Sequence, residues 1–233
     1  GLEGHDVLVE HPFTFVETPG FVGGEDVPLV SGRPASVVAG IRLGAAIDGF
    51  WGVAIADSEE LGVYTRVSTG VLQYQGTLIK DNCPVIAIAD MNDDGADDVV
   101  AFCGVEDTRR IVVMVQDEGY TFVEMAFIPL TVSPLEIAIG GLNSDQFPDI
   151  AFICENNYDS TGIILSSVDG FGDLVGWGDA VLYQRPMSPQ HIAIGRFAAN
   201  GRNAVVVGKG GDGLLTVFPV NQDGVATLGE NGT

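Results

Sequence analysis

Residues 84–103 read PVIAIADMNDDGADDVVAFC: a proline, a short apolar run, an acidic loop turning at Gly95, and a second apolar run closed by Cys103. The same order returns in PLEIAIGGLNSDQFPDIAFIC from Pro134 and in PQHIAIGRFAANGRNAVVVG from Pro189. It returns more loosely in PASVVAGIRLGAAIDGFWGVAIA from Pro34, so the four starts are spaced by 50, 50 and 55 residues. Each unit continues into a second pair of β-like runs around a glycine-containing turn. These turns centre on Thr69-Gly70, Glu118-Gly119, Asp169-Gly170 and Asp223-Gly224, where glycine supplies the positive φ that tight hairpins require.

Self-similarity at this period, with four short strands per unit, is the arithmetic of a β-propeller blade, an antiparallel sheet packed face to face with its neighbours. The first strand of each unit agrees. Ile86-Ala87-Ile88-Ala89, Ile137-Ala138-Ile139-Gly140 and Ile192-Ala193-Ile194-Gly195 alternate large with small. Isoleucine therefore faces one neighbour and alanine or glycine the other, and large meets small between sheets. A β-sandwich would explain the hairpins but not the repeated start of a proline followed within a few residues by Ile-Ala-Ile.

The expected fold is thus all-β, a propeller of four-stranded antiparallel blades at 34–83, 84–133, 134–188 and 189–233. Phe13-Thr14-Phe15-Val16-Glu17 nearly repeats Tyr120-Thr121-Phe122-Val123-Glu124, so residues 1–33 read as the outer strands of a preceding blade. That register describes a partial propeller or a fragment, with room for further blades in the native chain.

Ten basic against 32 acidic side chains give a net charge of −22, a field that repels phosphate backbones, and the basic residues form no cluster that could track one. Nucleic acid is not an expected partner. No apolar run approaches the roughly 20 residues that cross a bilayer, so no membrane insertion is expected. The acidity serves solubility or suits high-salt or divalent-rich surroundings. The opening GLEGHDV shows no basic region followed by an apolar one, so no signal peptide is visible.

The loop Asp90-Met91-Asn92-Asp93-Asp94-Gly95-Ala96-Asp97-Asp98 places oxygen-bearing side chains at positions 1, 3, 5 and 9, with Gly at 6. Calcium takes six to eight oxygens, and a turn through Gly95 converges Asp90, Asn92, Asp94 and Asp98, with the Ala96 carbonyl as a further ligand. An EF-hand would need an acid at position 12 and flanking helices. Position 12 here is Ala101, inside an apolar run.

Strand, D-x-N-x-D-G-x-x-D loop and second strand together resemble the FG-GAP repeats, also called VCBS-type repeats, of integrin α-subunit propellers and many secreted microbial proteins. The resemblance covers nearly the whole chain. It implies that the loop joins the first two strands of a blade and binds calcium through Asp90, Asn92, Asp94, the Ala96 carbonyl and Asp98. It also implies an extracellular or cell-surface module for adhesion or for recognition of a carbohydrate or protein ligand on its loops, binding rather than catalysing. An accessory domain of a larger secreted enzyme and a structural subunit of a surface assembly are the alternatives.

The other loops depart from the pattern. In 141–149, Asn143, Asp145 and Asp149 keep positions 3, 5 and 9, with Phe147 at the carbonyl position, but Gly141 has replaced the first acid, so weaker calcium binding is expected. In 196–204, Arg196, Ala198 and Ala204 remove the cage, and Gly44 to Gly49 keeps only a turn. The family's Phe-Gly pair appears as Phe171-Gly172.

Nothing else in the chain carries recognisable chemistry: there is no G-x-S-x-G elbow, H-E-x-x-H helix, phosphate-binding loop or dinucleotide fingerprint. His5, His11 and His191 read as exposed or structural. Trp51, Trp177, Tyr64, Tyr74, Tyr158 and Tyr183 read as core between sheets, with sugar stacking as the other possibility. Cys83, Cys103 and Cys154 cannot all pair within one chain. Cys103 and Cys154, each closing an apolar run, read as small buried hydrophobes.

Overall fold

The structure is a computed structural model and describes residues 37–43, 50–66, 72–117, 121–154, 160–184, 188–196, 203–209 and 215–220. The N-terminal segment 1–33, the first loop around Ala45, most of the Pro189 loop and the turns at Thr69, Glu118 and Asp223 lie outside them. Among the described residues the fold is all-β, with one short 3-10 turn at Glu106–Thr108 and no α-helix.

Each repeat builds one antiparallel sheet in simple up-and-down order. The first contains β1 (Val37–Leu43), β2 (Phe50–Ala56), β3 (Leu61–Arg66) and β4 (Leu72–Ile79). The second contains β5 (Val85–Ala89), β6 (Asp98–Cys103), β7 (Arg110–Gln116) and β8 (Phe122–Pro129). The third is made of β9 (Pro134–Gly140), β10 (Asp149–Cys154), β11 (Ser160–Ile164) and β14 (Val181–Gln184). In the fourth, β15 (Pro189–Gly195), β16 (Ala204–Lys209) and β17 (Leu215–Pro219) are three described strands.

The third sheet differs from the simple hairpin read from GIILSSVDGFGDLVGWGDAVLY. Its outer pair is interrupted, and β12 (Ser166–Val168) with β13 (Leu174–Trp177) forms a separate two-stranded arm. The Gly178 amide donates to the Leu165 carbonyl at 2.9 Å where arm and sheet part. At the tip, Asp169 accepts from the amides of Phe171 and Asp173 at 2.8 and 3.1 Å; the positive φ comes from Gly172, at 92°, rather than from Gly170 as expected, and Phe171 is left in solvent.

The four sheets stack in chain order, β1 beside β5, β5 beside β9 and β9 beside β15. Alternation along the second strands shows how. Val99, Ala101 and Cys103 of β6 pack with Ile41, Ala54 and Leu61 of the first sheet. Val100 and Phe102, on the other face, pack with Ile150, Phe152 and Cys154 of β10. Ala151 and Ile153 then pack with Ile192, Val205 and Val207 of the fourth sheet. Both middle sheets are therefore apolar on both faces, which is why VVAFC and IAFIC are continuous apolar runs rather than alternating ones.

The large-small alternation places its residues as expected. Ile86 and Ile88 join the interface with the first sheet, Ile137 and Ile139 the next, and Ile192 and Ile194 the last. Ala89 and Ala138 lie on the receiving faces. Phe152 makes the same economy within a sheet: it is paired across strands with Gly162, and its ring covers the glycine so closely that a Cβ there would collide with it.

The cysteine reading needs one correction. Cys83 and Cys103 form a disulfide, and only Cys154 is free and buried. In the antiparallel pair Val85 stands opposite Phe102, which brings the residues just outside that register together at the end of the sheet away from the acidic loop. Closing a loop over a separation of 20 residues stabilises the fold by about 3 kcal/mol in the chain-entropy account.

Candidate functional site

The acidic loop joins β5 to β6, and its reversal rests on Asp93 at φ 61° and Gly95 at φ 88°, left-handed conformations that Asp tolerates and glycine adopts without cost. Its side chains bind its own backbone. Asp90 accepts from the amides of Asp94 and Gly95 at 3.1 and 2.8 Å, and Asn92 Oδ1 accepts from the Asp94 amide at 3.2 Å. Asp94 accepts from the Ala96 amide at 2.7 Å and from Asn92 Nδ2 at 2.8 Å. Positions 1, 3 and 5 thus gather on the inside of one turn, and Ala96 enters it through its amide.

Asp98 is different. It is fully buried at the head of β6, where Oδ2 accepts from the Met91 amide at 2.7 Å and Oδ1 from the Gln116 amide at 2.8 Å. It ties the start of the loop to the end of β7, while Met91 sinks its side chain into the interface with the third sheet. Burial pushes the Asp98 carboxyl up to about 6 against the pull of the Gln116 and Met91 amides, and the charges of Asp94 and Asp90 add to the rise.

No group of three His, Cys, Asp or Glu close enough to hold a metal ion is formed among the described residues. The donor chemistry of the turn still suits a hard cation: all its side-chain donors are oxygens, and its carboxylates repel one another. Arg42 is drawn instead to Asp97, whose carboxylate accepts from the Arg42 amide at 2.6 Å and lies 3.4 Å from its guanidinium.

The loop of the third sheet is built alike but closes further. Asp149, also fully buried, accepts from the amides of Leu142, Asn143 at 3.0 Å and Ser166 at 2.7 Å. Burial raises its pKa while those amides oppose the rise. Asn143 Nδ2 donates to Asp145 at 2.6 Å, and Asp145 accepts from the Phe147 amide at 3.0 Å. Phe147 itself is buried.

Sequence reasoning missed the residues that tie these loops to the rest of the fold: Gln116 and Ser166 behind them, and position 8 beside them. Asp97 reaches the first sheet, and Asn203, at the same place in the fourth repeat, donates to the Gly141 carbonyl at 2.7 Å. At position 8 of the third repeat the Pro148 carbonyl accepts from Trp177 Nε1 at 3.0 Å, and Trp177 lies partly buried against the interface. His191 is exposed, its Nδ1 3.4 Å from Glu136.

At the opposite end of the second and third sheets lies a cleft of about 480 Å³. Pro84, Val85, Phe102, Val105 and Leu135 give it apolar walls, and Glu106 and Arg109 are its charged groups. The disulfide stands directly behind it, since Pro84 and Phe102 flank the bonded cysteines.

No protein-family model matches this chain, and no curated protein does. The functional reading therefore rests on the repeat and on these two ends of the stack.

Proposed function

We propose that the chain is a calcium-stabilised segment of a β-propeller of the FG-GAP type, a non-catalytic extracellular or cell-surface module for adhesion or for recognition of a carbohydrate or protein ligand. The observation that carries this reading is the face-to-face stacking of successive four-stranded sheets through their first strands, with a D-x-N-x-D-G-x-x-D loop leaving one of those strands. Calcium is favoured at Asp90, Asn92, Asp94 and Asp98 because it would relieve the repulsion among their carboxylates, making metal occupancy part of folding stability. The Cys83–Cys103 disulfide supports an oxidising compartment.

The two ends of the stack have different chemistry, and this divides the work between them. The acidic end carries the stabilising loop, and the cleft end, mainly apolar with one acid and one base, Glu106 and Arg109, offers a concave surface of the size ligands occupy. The test is a glycan array run with calcium and with chelator, beside thermal melts under the same conditions. Defined hits that disappear on replacing Leu135 at the cleft by Arg support carbohydrate recognition there, and a blank array moves the reading to a protein ligand. A melting temperature indifferent to calcium removes the metal from the proposal.

A further inference from the structure

We propose that in the loop of the third sheet the Ser166 hydroxyl takes the place of the cation, so that this loop is locked without metal. Ser166 opens β12 and is only 6% exposed. Its Oγ lies 3.0 and 2.9 Å from the two oxygens of Asp145, 2.9 Å from Asp149 Oδ1 and 3.4 Å from the Phe147 carbonyl. Asn143 Nδ2 is 3.4 Å from the same atom. All four residues that the sequence marks as ligands in this loop therefore converge on one atom, and that atom belongs to the protein.

The hydroxyl sits at 2.9–3.0 Å from these carboxylate oxygens, the separation of a hydrogen bond, so it can tie them together itself. One hydroxyl proton is shared among the carboxylate oxygens around it. The remaining demand is met by amides: Leu142, Asn143 and Ser166 on Asp149, and Phe147 with the Asn143 side chain on Asp145. The loop also starts with less charge to neutralise, because Gly141 stands where the second sheet has Asp90.

The second sheet provides the contrast. There the residue that gives its amide to Oδ1 of the position 9 carboxylate, as Ser166 does in the third sheet, is Gln116, which has no hydroxyl to set into the cage. One loop would then follow calcium and the other would not, so chelation would loosen the stack at the second sheet and spare the third. That contrast rests on the calcium reading of the Asp90 loop, but the role given to Ser166 does not.

Calcium titration calorimetry of the intact chain and of Asp145→Asn, with melts of Ser166→Ala in millimolar calcium and in chelator, tests this. The expected results are one saturable equivalent of calcium that Asp145→Asn retains, and a melting temperature for Ser166→Ala lower by about 3–8 °C in both conditions alike. A second equivalent that Asp145→Asn abolishes overturns the proposal, as does calcium restoring the melting temperature of Ser166→Ala. Should Ser166→Ala not fold, the calcium count with and without Asp145→Asn decides. No calcium binding at all would overturn the reading of the Asp90 loop, and equal losses in the Ser166→Ala melts would still uphold the hydroxyl.

Discussion

Gly140 of β9 faces Ile194 of β15 so closely that a methyl group built on the glycine would stand 2.9 Å from the Ile194 Cγ2. The two residues belong to neighbouring sheets, and the contact sets how near those sheets approach. Ile194 is branched at Cβ and cannot swing aside without leaving its rotamer. Gly140→Ala should therefore destabilise the chain by about 1–3 kcal/mol in denaturant unfolding. Gly140→Ala should cost measurably less in an Ile194→Ala background, which removes that Cγ2, a coupling that distant substitutions would not show. Additive losses in the double variant would mean that the sheets are not in contact here.

Asp94→Ala removes a carboxylate that accepts from the Ala96 amide and from Asn92. In chelator the loss should be about 1 kcal/mol, the value of a capping bond. In calcium the loss should be clearly larger, because a ligand to the ion goes as well. Thermal melts in the two conditions separate the contributions, and equal losses would assign Asp94 to the turn alone.

Cys154 is buried, and burial pushes its thiol up to about 11, with the nearby Ser160 side chain opposing the rise. A thiol that stays protonated and covered is a poor nucleophile. At pH 8 the native chain should show no group reactive toward a disulfide reagent, the unfolded chain one, and the unfolded and reduced chain three. Three reactive groups before reduction would remove the Cys83–Cys103 bond.

Asp98 ties stability to pH in a definite direction. Its folded value of about 6 lies above the ordinary carboxylate value of about 4, so its stabilising contribution is complete below about 4 and is lost as pH rises through 6. In chelator, lowering the pH from 7 to 5 should add about 1 kcal/mol that Asp98→Asn no longer gains. Asp149 acts in the same direction and leaves a residual trend in the variant. Denaturant midpoints across this range make the comparison, and identical pH profiles for the two chains would contradict it.

Asn203 belongs to a loop without a cage, and its side chain serves the contact with Gly141 of the neighbouring sheet. Asn203→Ala should leave the calcium count unchanged and cost about 1 kcal/mol. A lost equivalent of metal would show that the fourth loop had been misread.

What the sequence makes legible here is whatever repeats. Ile-Ala-Ile after a proline announces both the first strand of the second, third and fourth sheets and its two unequal faces, because a strand buried on both sides must offer a small residue to each large one it meets. The tight turn at Gly95 is legible for a similar reason, since few residues accept its φ of 88°. The disulfide was within reach: Cys83 stands just before the first strand of an antiparallel pair and Cys103 ends the second, so the pairing itself brings them together. Reading Cys103 as a plain hydrophobe looked at its run and not at its partner.

The role of Ser166 was not within reach. It lies 17 residues from Asp149 and reaches it across the β10–β11 pair, as Gln116 reaches Asp98 across β6–β7, a cross-strand relation that no local pattern marks. Asp98 and Asp149 carried a signal that a ligand pattern conceals. Both open an apolar run, so both begin a strand between two packed faces, where a carboxylate needs amide donors more urgently than it needs a metal.

A sheet whose two faces are both apolar has no independent existence in water. Cut out alone, the second or third repeat would present two greasy surfaces and aggregate, and a deletion within it would leave both neighbours bare. The unit that descent can add or remove is therefore one whole repeat, which supplies one new interface for each it displaces. The freedom to drift belongs to the loops at the two ends, and one of them has exchanged its acid for glycine while the strands on either side kept their alternation.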